Sequence, residues 1–342
     1  MSLPDDLLDH ARHAADIAPA GRAGEVAVVV RSGVVESRHL GHGALVDPEG
    51  RVVASVGDPT TTFYPRSSVK PWQAASIRRV GATMDRGPLD GEALAIAAGS
   101  HSGRQRHVDL VTTMLQAGRL GVDDLRCPPA LPADAAAHES WIQAGRGAER
   151  VLYNCSGKHA AMLLACVAND WPTASYLDPA HPLQVAIRAD LERATGAPVA
   201  HVAVDGCGAP LYALRLDALA RAAAALVAGD DHDRAVLAAM RAHPTAVGGP
   251  GREDTLAMTH LDGLVAKNGA DGVQLLVTED GWAVVLKVLD GSPRAAMTAA
   301  LALLDRAPHV DVRAAADACR EVVLGHGDPV GAVQPGDGLR GA

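Results

Sequence analysis

The chain has 342 residues and a net charge of −9, with 48% hydrophobic and 21% charged residues, which is typical of a globular protein with a sizeable core. The negative charge and the lack of a basic stretch argue against nucleic acid as a partner, and no apolar window is long enough to predict a membrane span. Five cysteines, an odd number, together with an acidic N-terminus, predict a reduced protein of the cytoplasm.

Strand and helix patterns alternate in blocks along the chain. A short amphipathic helix is predicted over residues 4–19, and strands over 25–35 and 39–56, with a turn at 47–50 inside the second run. Alanine- and leucine-rich helical patterns then fill residues 70–240. These helices are predicted at 72–83, 90–99, 105–119, 156–170, 181–195, 209–228 and 231–242.

Strand patterns return after the helical region. Residues 272–278 and 281–290 flank a hairpin turn, residues 292–307 predict a helix, and an edge strand is predicted near 330–333. The order predicts an α/β (α+β) fold in which an antiparallel sheet is flanked by helices and carries an inserted all-helical lobe. We therefore predict one catalytic domain with two lobes and a short tail. Its parts are a sheet lobe (1–66 and 245–335), a helical lobe (67–244) and a flexible tail (336–342).

The first candidate site is the spacing of Ser67 and Lys70, directly before a helical pattern. One helical turn apart, the two side chains share a face, so a neutral lysine amine can take the proton of the serine hydroxyl. Only four of the 31 lysine and arginine residues are lysines. A site that keeps lysine can need an amine that loses its proton, which arginine does not supply. The alternative is an N-cap serine beside a solvated lysine, and Pro71 predicts that the helix begins late.

Two further segments would complete a catalytic site built on Ser67 and Lys70. Ser100 and Ser102 lie in a small-residue loop between two helical patterns, and Lys267 enters a strand. Ser100 with Lys267 would form a second Ser-Lys pair, with Ser102 as the alternative serine. Taken singly, either serine can be a helix cap and Lys267 a loop cation.

A pair of cysteine segments forms a second candidate site. Cys155 and Lys158 lie three residues apart at the start of a helical pattern, and Cys207 lies between two glycines. Two thiolates bind zinc well, and His159 or His101 could add a ligand. The alternative is that these cysteines are inert and buried.

Six motifs, in this order over residues 24–335, together resemble the asparaginase II family, the rhizobial-type L-asparaginases. They are VVESRH (34–39), YPRSSVKP (64–71), SHSG (100–103), CSGKHAAM (155–162), VDGCGAP (204–210) and KNGADGV (267–273). The resemblance implies the fold of β-lactamases and penicillin-binding proteins. It also implies hydrolysis of L-asparagine to L-aspartate and ammonia, in asparagine catabolism, by a homodimer.

The resemblance also implies roles for particular residues. It implies two Ser-Lys tandems, Ser67 with Lys70 and Ser100 with Lys267. It further implies a zinc ion that assists substrate binding, held by Cys155, Lys158 and Cys207.

We also expect three residues to contact the substrate. Arg66 would bind its α-carboxylate, Asp205 would bind its α-ammonium, and His159 would contact a polar group. Ser67 would attack the side-chain amide with Lys70 as base, giving an acyl-enzyme. The alternatives are a glutaminase, another amidase or a β-lactamase-like serine hydrolase on the same fold, or a non-catalytic zinc or amino-acid-binding protein.

Overall fold

The computed structural model describes residues 17–84 and 87–339. Residues 4–16 of the expected N-terminal helix lie outside the described part of the chain. No described helix combines the length and the apolar character that crossing a bilayer requires.

An eight-stranded antiparallel sheet forms the centre of the protein. Seven strands follow the order β12-β13-β1-β2-β11-β10-β9, and β3 pairs with β2. These strands are β1 (Gly24–Arg31), β2 (Val34–Val46), β3 (Val52–Val56), β9 (Val265–Gly269), β10 (Val273–Val277), β11 (Ala283–Val288), β12 (Val322–Gly325) and β13 (Asp328–Pro335). The N-terminal and C-terminal strand patterns therefore join in one sheet, as the sequence predicts.

Helices form most of the rest of the described chain. They are α1 (Lys70–Arg79), α2 (Gly91–Ala97), α3 (Gln105–Ala117), α4 (Ala135–Gln143), α5 (Ser156–Ala168), α6 (Pro182–Thr195), α7 (Leu216–Ala225), α8 (Asp231–Ala242), α9 (Pro244–Val247), α10 (Glu253–His260), α11 (Ala296–Leu304) and α12 (Arg313–Ala318). Short strands β4 (Thr62–Phe63), β5 (Thr83–Met84), β6 (Gly87–Pro88), β7 (His201–Val204) and β8 (Pro210–Arg215) accompany them.

The middle strands of the large sheet are apolar on both sides. All five residues of β10 are buried, and β11 has one partly exposed residue, Lys287. Helices α7 and α11 both pack on β11, so these strands read as continuous Val/Leu runs instead of alternating patterns. The packed sheet thus supports its edge strand, β9.

The predicted fold class is confirmed, with differences in detail. The insertion carries a small antiparallel sheet, β4-β8-β7, so it is not purely helical. The first part of the helix predicted over 209–228 is strand β8, because a short apolar run has no periodicity that separates strand from helix. Helices α4, α9, α10 and α12 were not predicted.

The described part of the expected tail, residues 336–339, is packed against β1. Gly336 donates its backbone N–H to Val26 O, and Leu339 is 5% exposed. Residues 340–342 lie outside the described chain. The lobe boundaries proposed from the sequence stay an interpretation.

Two glycines allow the helical region to pack closely where the site is built. A Cβ added to Gly99 would lie 2.7 Å from Val247 O, and one added to Gly157 would lie 2.7 Å from Ile96 O. Both contacts are with backbone, which cannot move aside cheaply. These positions fix the distance between α2, α5 and α9.

We expect Gly157→Ala to lower the free energy of unfolding by about 1–3 kcal/mol, because the new methyl group overpacks a backbone contact. Gly147→Ala is the matched control, since nothing lies within 4 Å of a Cβ there. Urea unfolding followed by circular dichroism measures both. Equal stability of the two variants would contradict the packing argument.

Candidate active site

Ser67 lies in a single 3₁₀ turn, Arg66–Val69, that leads directly into α1. Pro71 stands in the first turn of α1, where its missing N–H costs nothing, so the helix begins late as expected. Arg66 has φ +53°, a left-handed conformation that is costly for a residue with a side chain. The half-buried Ser67 hydroxyl has no hydrogen-bond partner within the described residues, so it is free to meet a ligand.

Lys70 is buried, with 1% of its surface exposed. Its ammonium donates to the carbonyl of Gly99 and to Ser100 Oγ, the latter at 2.9 Å. These two partners offset the cost of removing the ammonium from water. The Ser-x-x-Lys segment and the Ser100 loop therefore meet through the lysine amine.

The Ser100 loop is held from two sides by backbone. Ser100 N donates to Val247 O at 2.7 Å, and His101 N donates to Asn154 O at 3.1 Å. Ser102 is also buried, but its hydroxyl has no partner within the described chain. Of the two serines left open by the sequence, Ser100 is the one bonded to Lys70.

Lys267 projects from the edge strand β9 and is fully buried. Its amine donates to Asn268 O at 2.8 Å, to Asn268 Oδ1 at 2.5 Å and to Asp254 Oδ2 at 3.4 Å. Burial lowers the pKa of Lys267 to about 8, against the opposing pull of the Asp254 charge. An amine with this pKa is still mostly protonated at pH 7, but it loses its proton far more readily than a lysine in water.

Sequence reasoning missed Asp254, which has 4% of its surface exposed. Besides Lys267, it accepts from Asn268 N at 2.9 Å and from Gln274 Nε2 at 3.2 Å. Its only sequence signal is an acidic pair in the first turn of α10, a pattern that surface helices share. Burial and partners, which set its role, are tertiary properties.

One hydrogen bond therefore joins the two predicted tandems: Lys70 of the first pair donates to Ser100 of the second. Lys70 is bonded to Ser100 and not to Ser67, and Lys267 is bonded to Asp254 and Asn268 and not to Ser100, among the described residues. The Lys70 charge lowers the pKa of Lys267, so both amines belong to one electrostatic site.

The three predicted zinc ligands also converge. Cys155 is the N-cap of α5, Lys158 lies one turn later, and both are buried with Cys207. Lys158 Nζ lies 3.3 Å from Cys207 Sγ, and Cys207 Sγ lies 3.6 Å from Asp205 Oδ2. We call Cys155, Lys158 and Cys207 the thiol cluster.

The thiols of this cluster have opposite proton affinities. The hydrogen bond from Cys155 lowers the pKa of Cys207 to about 5, assisted by the charge of Lys158. The same hydrogen bond, with burial, raises the pKa of Cys155 to about 12. Burial disfavours the ammonium of Lys158, yet the neighbouring thiolate charges raise its pKa.

This donor set fits zinc. Cys207 is ready as a thiolate, and two sulfurs with an amine nitrogen match the ligand types of zinc once Cys155 and Lys158 lose their protons. No three His, Cys, Asp or Glu side chains gather as a metal site among residues 17–84 and 87–339. A site here depends on the lysine as a ligand.

Arg66 and Asp205 lie together at the edge of the thiol cluster. Arg66 Nε donates to Asp205 Oδ1 at 2.8 Å, and the same guanidinium pairs with Asp271. Despite burial, the charges of Lys158 and Arg66 hold the pKa of Asp205 below its usual range. Both side chains therefore already have a charged partner, which a ligand bound here would meet.

His159 and His101 are both buried and neutral. His159 Nδ1 is hydrogen-bonded to the Tyr176 hydroxyl at 2.6 Å, and the same oxygen accepts from Arg126 N. Burial and the Lys158 charge lower the pKa of His159 to about 3. His101 Nδ1 accepts from Gly103 N and its Nε2 donates to Ser156 Oγ at 2.8 Å. His101 thus links the Ser100 loop to the start of α5 and is not aimed at the thiols.

A cavity of about 290 Å³ opens beside Ser100 and Asn268. Its wall contains Gly248, Gly251, Arg252, Glu253, Asp254, Pro293, Arg294 and Glu321. We call it the Ser100 cavity.

Comparison with known proteins gives one family. The model of the L-asparaginase II family matches residues 27–335, and no curated protein matches the chain. The solved structures that resemble the fold and are described below have 14–16% sequence identity, and the first of them has 16%. A protein described as a beta-lactamase from Bacteroides dorei DSM 17855 has a TM-score of 0.40, with 73% of this chain and 84% of that chain covered.

Two further structures are similar, the first at 16% and the second at 14% sequence identity. A beta-lactamase from Mycobacterium bovis has a TM-score of 0.36, with 78% and 92% of the two chains covered. A beta-lactamase from Sphaerobacter thermophilus DSM 20745 has a TM-score of 0.37, with 82% and 89% covered. These likenesses say nothing about a reaction, because one fold supports many.

The four lysines of the chain allow a direct test of the Lys267 environment. In protein labelled with ¹³C at lysine Cε, we expect one signal to titrate near pH 8 and to vanish in Lys267→Met. Asp254→Asn should move that midpoint lower, because the carboxylate raises the pKa of the amine. If every lysine signal titrated above pH 9.5, the buried, weakened amine would be refuted.

Proposed function

Because the chain belongs to the L-asparaginase II family, we propose that it hydrolyses the side-chain amide of L-asparagine to L-aspartate and ammonia. Family membership supports an amidohydrolase. The observation that carries the proposal further is the buried bond between Lys70 Nζ and Ser100 Oγ, 2.9 Å long, one helical turn from the open hydroxyl of Ser67. An amide is unreactive, and a serine opens it only when a base takes the hydroxyl proton.

In the proposed mechanism Ser67 is the nucleophile. Neutral Lys70 takes the Ser67 proton while the oxygen bonds to the amide carbon, and backbone N–H groups at the start of α1 stabilise the oxyanion. The carbon–nitrogen bond breaks as a proton passes to the nitrogen, and ammonia leaves. Water then cleaves the acyl ester and releases aspartate and the free serine.

Ser100 and Lys267 have the second proposed role, proton transfer. Ser100 accepts from Lys70 and can pass a proton onward through its own hydroxyl. The low pKa of Lys267 suits a group that gives and takes protons near neutral pH. Asp254 stabilises the charged form of Lys267 and is a positioning residue in this scheme.

The thiol cluster of Cys155, Lys158 and Cys207 is the proposed zinc site. A bound zinc ion would supply a positive charge that helps to hold a polar group of the substrate. The chain's own contribution is a thiolate at Cys207 and a carboxylate, Asp205, within 3.6 Å of it. Arg66, Asp205 and His159 stay proposed substrate contacts near this cluster, where Arg66 and Asp205 are paired with each other. The homodimer and the cytoplasmic location also stay proposals.

A glutaminase on the same machinery is the nearest alternative. Glutamine differs from asparagine by one methylene, which alone changes specificity by about 10–200-fold. Ammonia release from the two amino acids, measured side by side, decides between them. A non-catalytic binding protein would release no ammonia from either.

We expect Ser67→Ala to abolish ammonia release from asparagine, and Lys70→Met to lower the rate by about 10²–10⁴ because the proton acceptor is lost. Ser100→Ala and Ser102→Ala test the two loop serines separately, and we expect only Ser100→Ala to lower the rate of ammonia release. Ser37→Ala, exposed on β2, is the control for serine replacement. Activity of Ser67→Ala at the level of this control would remove Ser67 as nucleophile.

For zinc, we expect about one equivalent per chain in protein purified without chelator, as two thiolates and an amine imply. Cys207→Ala should lose the metal, because it removes the ready thiolate. Cys166→Ala is the matched control, since Cys166 is a buried thiol in the core of α5. Elemental analysis of the three proteins measures this, and native protein free of stoichiometric metal would refute the site.

A further inference from the structure

The side chain of His101 joins the Ser100 loop to the start of α5. Its ring is 1% exposed, and Nε2 lies 2.8 Å from Ser156 Oγ. The Ser156 hydroxyl gives its own hydrogen to a backbone carbonyl at 2.8 Å, and Gly103 N donates to Nδ1 of the ring at 3.2 Å. The ring therefore carries its proton on Nε2 and donates it to Ser156. The backbone adds a second link, because His101 N donates to Asn154 O at 3.1 Å.

The Ser100 loop has few large groups that could hold it by packing. Among residues 99–103, only His101 has a large side chain, and the others are glycines and serines. Ser100 also lines the Ser100 cavity of about 290 Å³, so open space lies on that side of it. The bond from Ser100 N to Val247 O fixes one backbone atom of the loop. The bonds of His101 are therefore a large part of what sets the place of the Ser100 hydroxyl.

A catalytic role does not fit the ring of His101 itself. Both ring nitrogens are hydrogen-bonded within the protein, so neither is open to take a proton from a hydroxyl or a ligand. The Ser100 hydroxyl is bonded to Lys70 instead, at 2.9 Å. The ring of His107 lies beside that of His101, with 5.0 Å between their centres. His101 can thus act on a reaction through the atoms that it holds in place.

The segment that holds His101 also carries part of the thiol cluster. Asn154 and Ser156, the two partners of His101 in this segment, are the direct neighbours of Cys155. The same three residues therefore fix the Ser100 loop and one sulfur of the thiol cluster relative to each other.

We propose that His101 is a positioning residue for the proposed amide hydrolysis: its hydrogen bond to Ser156 holds Ser100 Oγ within reach of the Lys70 amine. The assignment rests on the proposed function, in which Ser100 transfers a proton. A displacement of about 1 Å at such a group costs about 10² in rate. His101 acts through the Ser100 loop and takes no proton itself.

Two substitutions of His101 separate its two ring bonds. The amide oxygen of asparagine takes the place of Nδ1, so His101→Asn keeps an acceptor for Gly103 N and loses the donor to Ser156. The amide nitrogen of glutamine reaches the place of Nε2, so His101→Gln keeps that donor. We expect His101→Asn to lower kcat for L-asparagine about 10–100-fold and to change KM by less than about twofold. His101→Gln should keep a kcat near that of the wild type.

Ser156→Ala removes the same bond from the other side, and we expect the loss in kcat of His101→Asn. The double variant should lose no more than either single variant, because one bond is removed once. His181→Asn is the matched control: His181 is buried in the cap of α6, its Nδ1 accepts from Leu183 N at 3.2 Å and its Nε2 donates to Pro172 O at 3.1 Å. Its kcat should equal that of the wild type. No loss in either single variant, equal losses in His101→Asn and His101→Gln, or additive losses in the double variant would overturn the proposal.

The lysine Cε signals give a readout that needs no turnover. In protein labelled with ¹³C at lysine Cε, the signal that is lost in Lys70→Met belongs to Lys70. We expect this signal to move in His101→Asn and Ser156→Ala, because Ser100 Oγ leaves the amine, and to stay in place in His101→Gln and His181→Asn. An unmoved signal in His101→Asn and Ser156→Ala would contradict the positioning role, and if one of these variants does not fold, the other decides.

The two readouts distinguish failure of this role from failure of the proposed function. If wild-type protein releases no ammonia and the Lys70 signal follows the expected pattern, the function fails and the positioning of Ser100 by His101 stands. If wild-type protein hydrolyses asparagine and His101→Asn keeps both the wild-type kcat and the wild-type Lys70 signal, the positioning role fails and the function stands.

Discussion

Three buried lysine amines determine how the rest of the site is arranged. Lys70, Lys158 and Lys267 are each at most 2% exposed, and an ammonium group in such surroundings has to be hydrogen-bonded or lose its proton. Each amine has different hydrogen-bond partners. Lys70 donates to a serine hydroxyl and a carbonyl, Lys158 to a thiolate, and Lys267 to a carboxylate and an amide oxygen. Burial makes all three amines costly, and for two of them the surroundings also change the proton affinity: the pKa of Lys267 is lowered and that of Lys158 is raised.

The fold meets this requirement by bringing together short segments from distant elements. The turn before α1, the loop after α2, the start of α5 and the edge strand β9 each contribute one or two side chains. Close backbone contacts at Gly99, Gly157 and Gly269 bring these segments within reach of one another. At Gly269, a Cβ would lie 2.4 Å from Pro65 O, so the end of β9 rests on the turn that carries Ser67. Small residues in the motifs thus act through packing as much as through chemistry.

The lysines also connect the two halves of the site electrostatically. The charge of Lys70 acts on the pKa of the Cys155 thiol and on that of Lys267. The protonation of Lys267 and that of the thiol cluster are therefore linked through this charge, and metal binding, which removes protons from Cys155 and Lys158, would change the field at Lys70. A site of this kind is best regarded as one titrating system with several members.

Much of this could be predicted from the sequence. The sheet strands and most helices follow from local patterns, because periodicity and turn residues are encoded within a few positions. The pairing of Ser67 with Lys70 and of Ser100 with Lys267 came from spacing, motif order and the family resemblance, and it stays a prediction. Tertiary structure alone decided that Lys70 meets Ser100, that Asp254 supports Lys267 and that Pro210–Arg215 is a strand. Pairing and burial depend on residues far apart in the chain, and a single sequence contains no local signal for them.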